Sequence, residues 1–142
     1  MNQWGLTDRG NVRAQNQDYF TIVRFSPEHA LAVVCDGMGG AKSGNVASRL
    51  ATDVFIREVK RTWNASLDDD ALRRMLVDAV ELANRAVYEH AQLSEDFSGM
   101  GTTLVAAFVK TDLAIAVNVG DSRAYLLREQ GVTRITEDHS VV

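Results

Sequence analysis

Three short clusters hold residue types that handle phosphate or divalent metal. In Leu31–Gly44, LAVVCDGMGGAKSG, an apolar run ends in a carboxylate, Asp36, and four of the next eight residues are glycine. Arg13–Asp18, RAQNQD, sets an arginine and an aspartate at the mouth of another apolar run. Asn118–Arg123, NVGDSR, places Asp121 and Arg123 at a tight turn. The glycine loop fails as a phosphate cradle of the G-x-x-x-x-G-K-[ST] kind, because Asp36 and Ala41 occupy the two glycine positions when Lys42-Ser43 is the final pair. A dinucleotide fingerprint fails too, since its third glycine counted from Gly37 is Lys42 and its second counted from Gly39 is Ala41. A cysteine nucleophile at Cys35 would need an arginine six residues on, where Ala41 stands, and the adjacent Asp36 opposes thiolate formation. Cys35 therefore reads as a small buried residue closing a strand.

Metal chemistry suits the pattern better. Asp36 sits at the end of an apolar segment, and Gly37 leaves the backbone carbonyl free to turn toward a ligand. A carboxylate beside a carbonyl is a hard oxygen pair, matched to Mg²⁺ or Mn²⁺ rather than Zn²⁺. His29, His90 and His139 have no metal-binding spacing among them, which argues against zinc. Taken singly, each cluster reads equally well as a polar turn. Their joint occurrence favours a site.

The elements that position these clusters follow from periodicity. DYFTIVRF (Asp18–Phe25) and ALAVVC (Ala30–Cys35) read as strands joined by the SPEH turn, a hairpin. Ala47, Leu50, Ala51, Val54, Phe55 and Val59 recur at helical steps, with Ser43 or Gly44 at the start. A second helix opens at SLDD, where Ser66 and Asp69 suggest a capping box. Its stripe runs through Leu72, Met75, Leu76, Ala79, Leu82, Ala83, Ala86 and Val87. TTLVAAFV, LAIAVNVG, SRAYLLRE and GVTRIT then read as an antiparallel meander, the first two apolar enough to be covered on both faces. Strands, a helix pair and more strands make an α+β pattern.

Bulk properties narrow the function classes. With 46% hydrophobic and 24% charged residues, the 142-residue chain has the composition of a folded domain rather than a disordered one. A formal net charge of -4 and no basic block argue against nucleic-acid binding. One cysteine permits no internal disulfide, and no leader-like or membrane-length apolar run is evident, so a cytoplasmic location is expected.

RAQNQD, VVCDGMGG, GMGTTLVAAF, VGDSRAYLLR and ITEDHS occur in this order and at similar spacing in the metal-dependent protein serine/threonine phosphatases of the PP2C (PPM) type. The chain most resembles their bacterial branch. The resemblance covers residues 1–142 and a little over half of the family's domain, so the chain is expected to be the N-terminal portion of one such domain. It implies a sandwich of two antiparallel sheets flanked by helix pairs, here incomplete at the C-terminus. It also implies hydrolysis of phosphoserine and phosphothreonine by water held on a Mn²⁺/Mg²⁺ pair, with a third, weaker metal. Carried over by motif, Asp36 bridges the metals, Gly37 offers its carbonyl, Asp18 holds metal-bound water, Asp121 resembles the third metal's ligand, and Arg13 grips the substrate phosphate. Thr102 and Thr103 look like packing and turn residues near the site, Arg123 like an orienting or structural residue, and His139 like a structural one.

The departures sharpen these expectations. Met38 stands where many eukaryotic members carry a histidine, a candidate general acid, so the leaving-group proton must come from elsewhere. Ala41 stands where many bacterial members carry histidine, and Gln17 where some carry glutamate. Two later metal-ligand aspartates of the family do not follow TEDHSVV, so weak or absent activity is expected of this polypeptide. An inactive phosphatase-like binding or regulatory module is the alternative. The expected partners are a phosphoprotein and, by resemblance, a Ser/Thr kinase. Exposed sheet edges suggest a dimer or swapped assembly.

Overall fold

Near the hairpin turn, the backbone amides of Phe25 and Ser26 both donate to His29 O, and the SPEH segment closes as expected. The computed structural model describes residues 1–39 and 43–139; Gly40, Ala41 and Lys42 of the glycine loop and Ser140 of the DHS motif lie outside them. Strand β1 (Asp18–Arg24) pairs antiparallel with β2 (Ala30–Met38), in a register running from Asp18 opposite Asp36 to Arg24 opposite Ala30. Helices α1 (Ser43–Thr62) and α2 (Asp69–Ala91) follow as an antiparallel-connected pair. The chain then returns through β3 (Gly101–Thr102), β4 (Leu104–Lys110) and β5 (Leu113–Val119). Among the described residues the main sheet has the order β1-β2-β4-β5, with β3 extending the pairing of β2. Strands β6 (Tyr125–Arg128) and β7 (Gly131–Arg134) make a separate two-stranded ribbon.

The helix pair covers one face of the sheet, and the core lies between them. Leu31, Val33 and Cys35 of β2, Leu104, Ala106 and Phe108 of β4 and Ile115 of β5 face Ala47, Ala51, Phe55 and Val59 of α1. From α2, Leu72, Met75, Leu76, Ala79, Ala83 and Val87 close the second layer. Each large side chain buried there contributes about 1.5–3 kcal/mol. Leu82, included in the expected stripe, remains 40% exposed, because the 3.6-residue period selects Ala79 and Ala83 for the inner row. Phe25 stacks on Trp63 and Phe108, with ring centroids 4.9 and 5.8 Å away, and seals the end of the core remote from Asp18 and Asp36.

Two local expectations need correction. The cap of α2 is Asp68, whose carboxylate accepts the Ala71 amide at 2.7 Å; Ser66 turns away to bond Asn64. Asp69 instead pairs with Lys110 at 2.7 Å, pinning the start of α2 to the end of β4. The expected meander breaks between β5 and β6, where Gly120 adopts φ +92° and redirects the chain. The helices cover only one face of the sheet. On the other, register aligns Phe20 with Val34 and Ile22 with Ala32, and Val34 is 44% exposed. The N-terminal segment lies over part of this face. Arg24 donates to Met1 O at 2.9 Å, Gly5 sits against the Phe20 ring, and a cavity of about 260 Å³ remains between segment and sheet. Coverage of that face varies across the sheet: Val105 of β4 is 7% exposed, whereas Val34 of β2 is 44% exposed.

Truncating Phe108, 1% exposed at the centre of the core, leaves a large void. Phe108→Ala is expected to lower stability by about 3–5 kcal/mol, read from urea unfolding followed by circular dichroism.

Candidate functional site

At the end of the hairpin away from the aromatic cluster, antiparallel pairing sets Asp18 directly opposite Asp36. Like charges placed opposite each other across a ladder repel. Burial, then the charge of Asp18 and a hydrogen bond with its carboxyl, then the charge of Asp121, hold the Asp36 carboxyl above its ordinary range; Arg13 acts in the opposite sense. Arg13, Asp18, Asp36, Gly37 and Asp121 all line one open cleft of about 840 Å³. Residues that are up to 108 positions apart in sequence thus share one cavity.

The backbone explains the glycine after Asp36. Gly37 is buried and its amide donates to Gln17 O at 3.1 Å. A Cβ there would run into the carbonyl of Gly44 at the start of α1, and a Cβ on Gly44 would lie 2.6 Å from Gln17 Oε1. The segment before β1, the end of β2 and the start of α1 therefore cross at near-minimal separation. Gln17, noted in the sequence only as a missing charge, wedges this crossing. Met38 is 63% exposed in the same cleft and offers no ionisable group.

The donor set decides which metals could be held. Among the described residues no group of three or more His, Cys, Asp or Glu side chains stands close enough together to hold a metal ion. Asp18, Asp36, Asp121 and Gly37 line one open cleft. By chemical type these hard oxygen donors suit Mg²⁺ or Mn²⁺, which use few carboxylates and keep several waters, rather than zinc.

The remaining residues of the motifs divide clearly. Cys35 is fully buried, accepts a hydrogen bond from Thr52 at 3.2 Å, and is pushed up to about 11 by burial. It is a packed thiol, as the sequence suggested. Arg123 turns to the C-terminal segment. Its Nε and NH2 donate to Asp138 at 3.0 and 2.6 Å. The His139 amide donates to Gly120 O at 2.9 Å, a structural bond. Thr102 Oγ1 donates to Asp36 O at 3.0 Å, while Thr103 bonds Asp36 through both its backbone and its hydroxyl. Thr103 and Arg9 also line the cleft. The sequence had Thr103 as a packing and turn residue near the site, without a role in it, and nothing in the pattern around Arg9 points inward.

The family model for protein phosphatase 2C matches residues 9–141, and the chain belongs to that family. It is 37% identical over 136 residues to the serine/threonine phosphatase stp of Listeria monocytogenes, covering 96% of this chain and 54% of that protein. It is 34% identical over 139 residues to protein phosphatase PhpP of Streptococcus pneumoniae, again covering 96% and 54%. The crystal structure of serine/threonine phosphatase Stp1 from Staphylococcus aureus superposes with TM-score 0.85 at 36% identity, covering 95% of this chain and 52% of that one. The Mycobacterium tuberculosis phosphatase PstP/Ppp superposes with TM-score 0.75 at 36% identity, covering 92% and 52%. The chain spans about half the length of the curated relatives it matches.

Two expectations follow. Cys35 should react with a thiol reagent such as DTNB only after denaturant is added, because neither access nor thiolate is available in the folded chain. Arg123 and then Arg134 hold the Asp138 carboxyl below its ordinary value of 3.8. A depressed carboxylate stabilises above its unfolded value and loses that contribution as pH falls through its folded value. The His139 amide should therefore keep its protection at neutral pH and lose part of it only as pH falls below 3.8 through the depressed Asp138 value, whereas Asp138→Asn should lower that protection already at neutral pH, as read by hydrogen exchange.

Proposed function

We propose that this chain is the N-terminal portion of a PP2C-type protein serine/threonine phosphatase domain and carries one side of its catalytic cleft. The observation that carries the reading is the pairing of Asp18 opposite Asp36, in a cleft shared with Asp121 and Arg13. Apposed carboxylates at a solvent-open strand end are unfavourable by themselves and are relieved by a divalent cation.

In this reading Asp36 and the Gly37 carbonyl would hold Mn²⁺ or Mg²⁺, Asp18 would hold water around the ions, and Asp121 would hold a third, weaker ion. When bound, the metals supply Lewis acidity and a water acidic enough to ionise near neutral pH. Arg13 receives the phosphate dianion of phosphoserine or phosphothreonine, its planar fork matching two phosphate oxygens. The Asp36 end of the cleft repels a bare phosphate, so Arg13 sets its orientation. Met38 holds no proton to give, which leaves solvent to protonate the departing seryl or threonyl oxygen. The substrate class is a phosphoprotein, a Ser/Thr kinase is the partnering activity, and the compartment is the cytoplasm. Among the described residues no helix is long and apolar enough to cross a membrane.

Mn²⁺ binding followed by electron paramagnetic resonance, with and without inorganic phosphate, tests the assignment independently of turnover. Asp36→Asn is expected to weaken Mn²⁺ binding by at least about tenfold. Arg13→Ala should leave Mn²⁺ binding within about twofold and weaken phosphate by roughly tenfold, the scale of a charge-assisted hydrogen bond. Equal Mn²⁺ affinity in the unmodified chain and in Asp36→Asn would overturn the reading.

A further inference from the structure

Asp36 reaches the cleft from β2 and Asp121 from the turn after β5, and β2 and β5 are not strand partners, so contacts through β4 set their spacing. Thr103 makes that contact on both sides. Its amide donates to Asp36 O at 2.9 Å, and its Oγ1 accepts the Asp36 amide at 2.9 Å. The same Oγ1 shares a hydrogen bond of 2.6 Å with Ser122 Oγ, on the residue directly after Asp121. Its methyl group packs on the residue directly before Asp121: a Cβ on Gly120 would lie 2.8 Å from Thr103 Cγ2. Gly120 holds φ +92°, so both its conformation and its lack of a side chain are needed for the approach.

The far side of the Asp121 turn is fixed separately. Asn118 Nδ2 donates to Glu137 O at 2.6 Å, Arg123 clasps Asp138, and the His139 amide bonds Gly120 O. These bonds hold the turn to the C-terminal segment. The Leu104–Val119 pairing of β4 and β5 holds the start of the turn, and the bonds of Thr103 carry the link on to Asp36 and Ser122.

We propose that Thr103 is a positioning residue that sets the separation of Asp36 and Asp121, its hydroxyl relaying between the Asp36 backbone and Ser122 while its methyl seats Gly120. The proposal rests on the reading of both aspartates as metal ligands. Its chemistry explains the residue type: valine keeps the methyl and loses the relay, whereas serine keeps the relay and loses the methyl. A residue present only for packing would tolerate valine better than serine.

The test uses ¹⁵N-labelled chain and two NMR readouts. In the first, Mn²⁺ is added to millimolar concentration and paramagnetic broadening is followed at Gly37 and Ser122. Thr103→Val is expected to raise the Mn²⁺ concentration for half-broadening by roughly fivefold, the weight of one ordinary hydrogen bond. Thr103→Ser should stay within about twofold of the unmodified chain. Equal midpoints for Thr103→Val and the unmodified chain, or a larger effect of serine than of valine, overturn the proposal. The second readout needs no metal. Ser122→Ala should shift the Asp36 amide resonance in the unmodified chain and leave it unmoved in the Thr103→Val background. An Asp36 amide indifferent to Ser122→Ala in both backgrounds overturns the relay. Absence of broadening in the unmodified chain removes the metal reading alone, because the amide coupling is scored without it. Circular dichroism unfolding confirms that each variant is folded.

Discussion

Asp18 and Asp36 oppose each other because β1 and β2 pair in the one register that places their apolar residues correctly. Shifting the ladder by one residue would turn Leu31, Val33 and Cys35 away from α1 and expose them. The hydrophobic core thus enforces an electrostatic arrangement that is unfavourable by itself. The cost falls on Asp36, whose carboxyl is held toward its protonated form by burial and by its two acidic neighbours. A binding site is a place where such a conflict is left for a ligand to resolve, and here the packed helix pair supplies the stability that tolerates it.

The remaining architecture serves that end of the hairpin in two ways. Close backbone crossings place the glycine loop, with Gly37 against Gly44 and Gln17 wedged alongside. Hydrogen bonds place the Asp121 turn, with Thr103 on one side and the Asn118, Arg123 and His139 contacts on the other. The first device depends on the absence of side chains and the second on short polar ones. Both resist small displacements better than long flexible side chains would. The aromatic cluster of Phe25, Trp63 and Phe108 closes the opposite end, leaving chemistry and sealing at separate ends of one sheet.

Similarity to the Listeria and Streptococcus phosphatases spans nearly all of this chain and about half of theirs. The half matched here contains a complete helix-on-sheet layer, and its other sheet face is apolar and partly open, with Val34 and Ala32 exposed.

Much of this was legible in the residues. Helical periodicity located α1 and α2 and most of their inner rows, and the β-branched runs located the strands. The chemical types in five short motifs named the family and the residues that line the cleft. These features are local, depending on neighbours within a turn or a strand. Tertiary structure decided the rest. It chose Asp68 over Ser66 as the cap, because Asp69 is engaged by Lys110. It broke the expected meander at Gly120, because that turn is held against Thr103 and the C-terminal segment. It turned Thr103 from an anonymous turn residue into the link between two aspartates. The sequence by itself determined which groups could do chemistry. Only the tertiary structure decided how they are spaced, because that spacing depends on hydrogen bonds and close contacts between residues far apart along the chain, which no local pattern encodes.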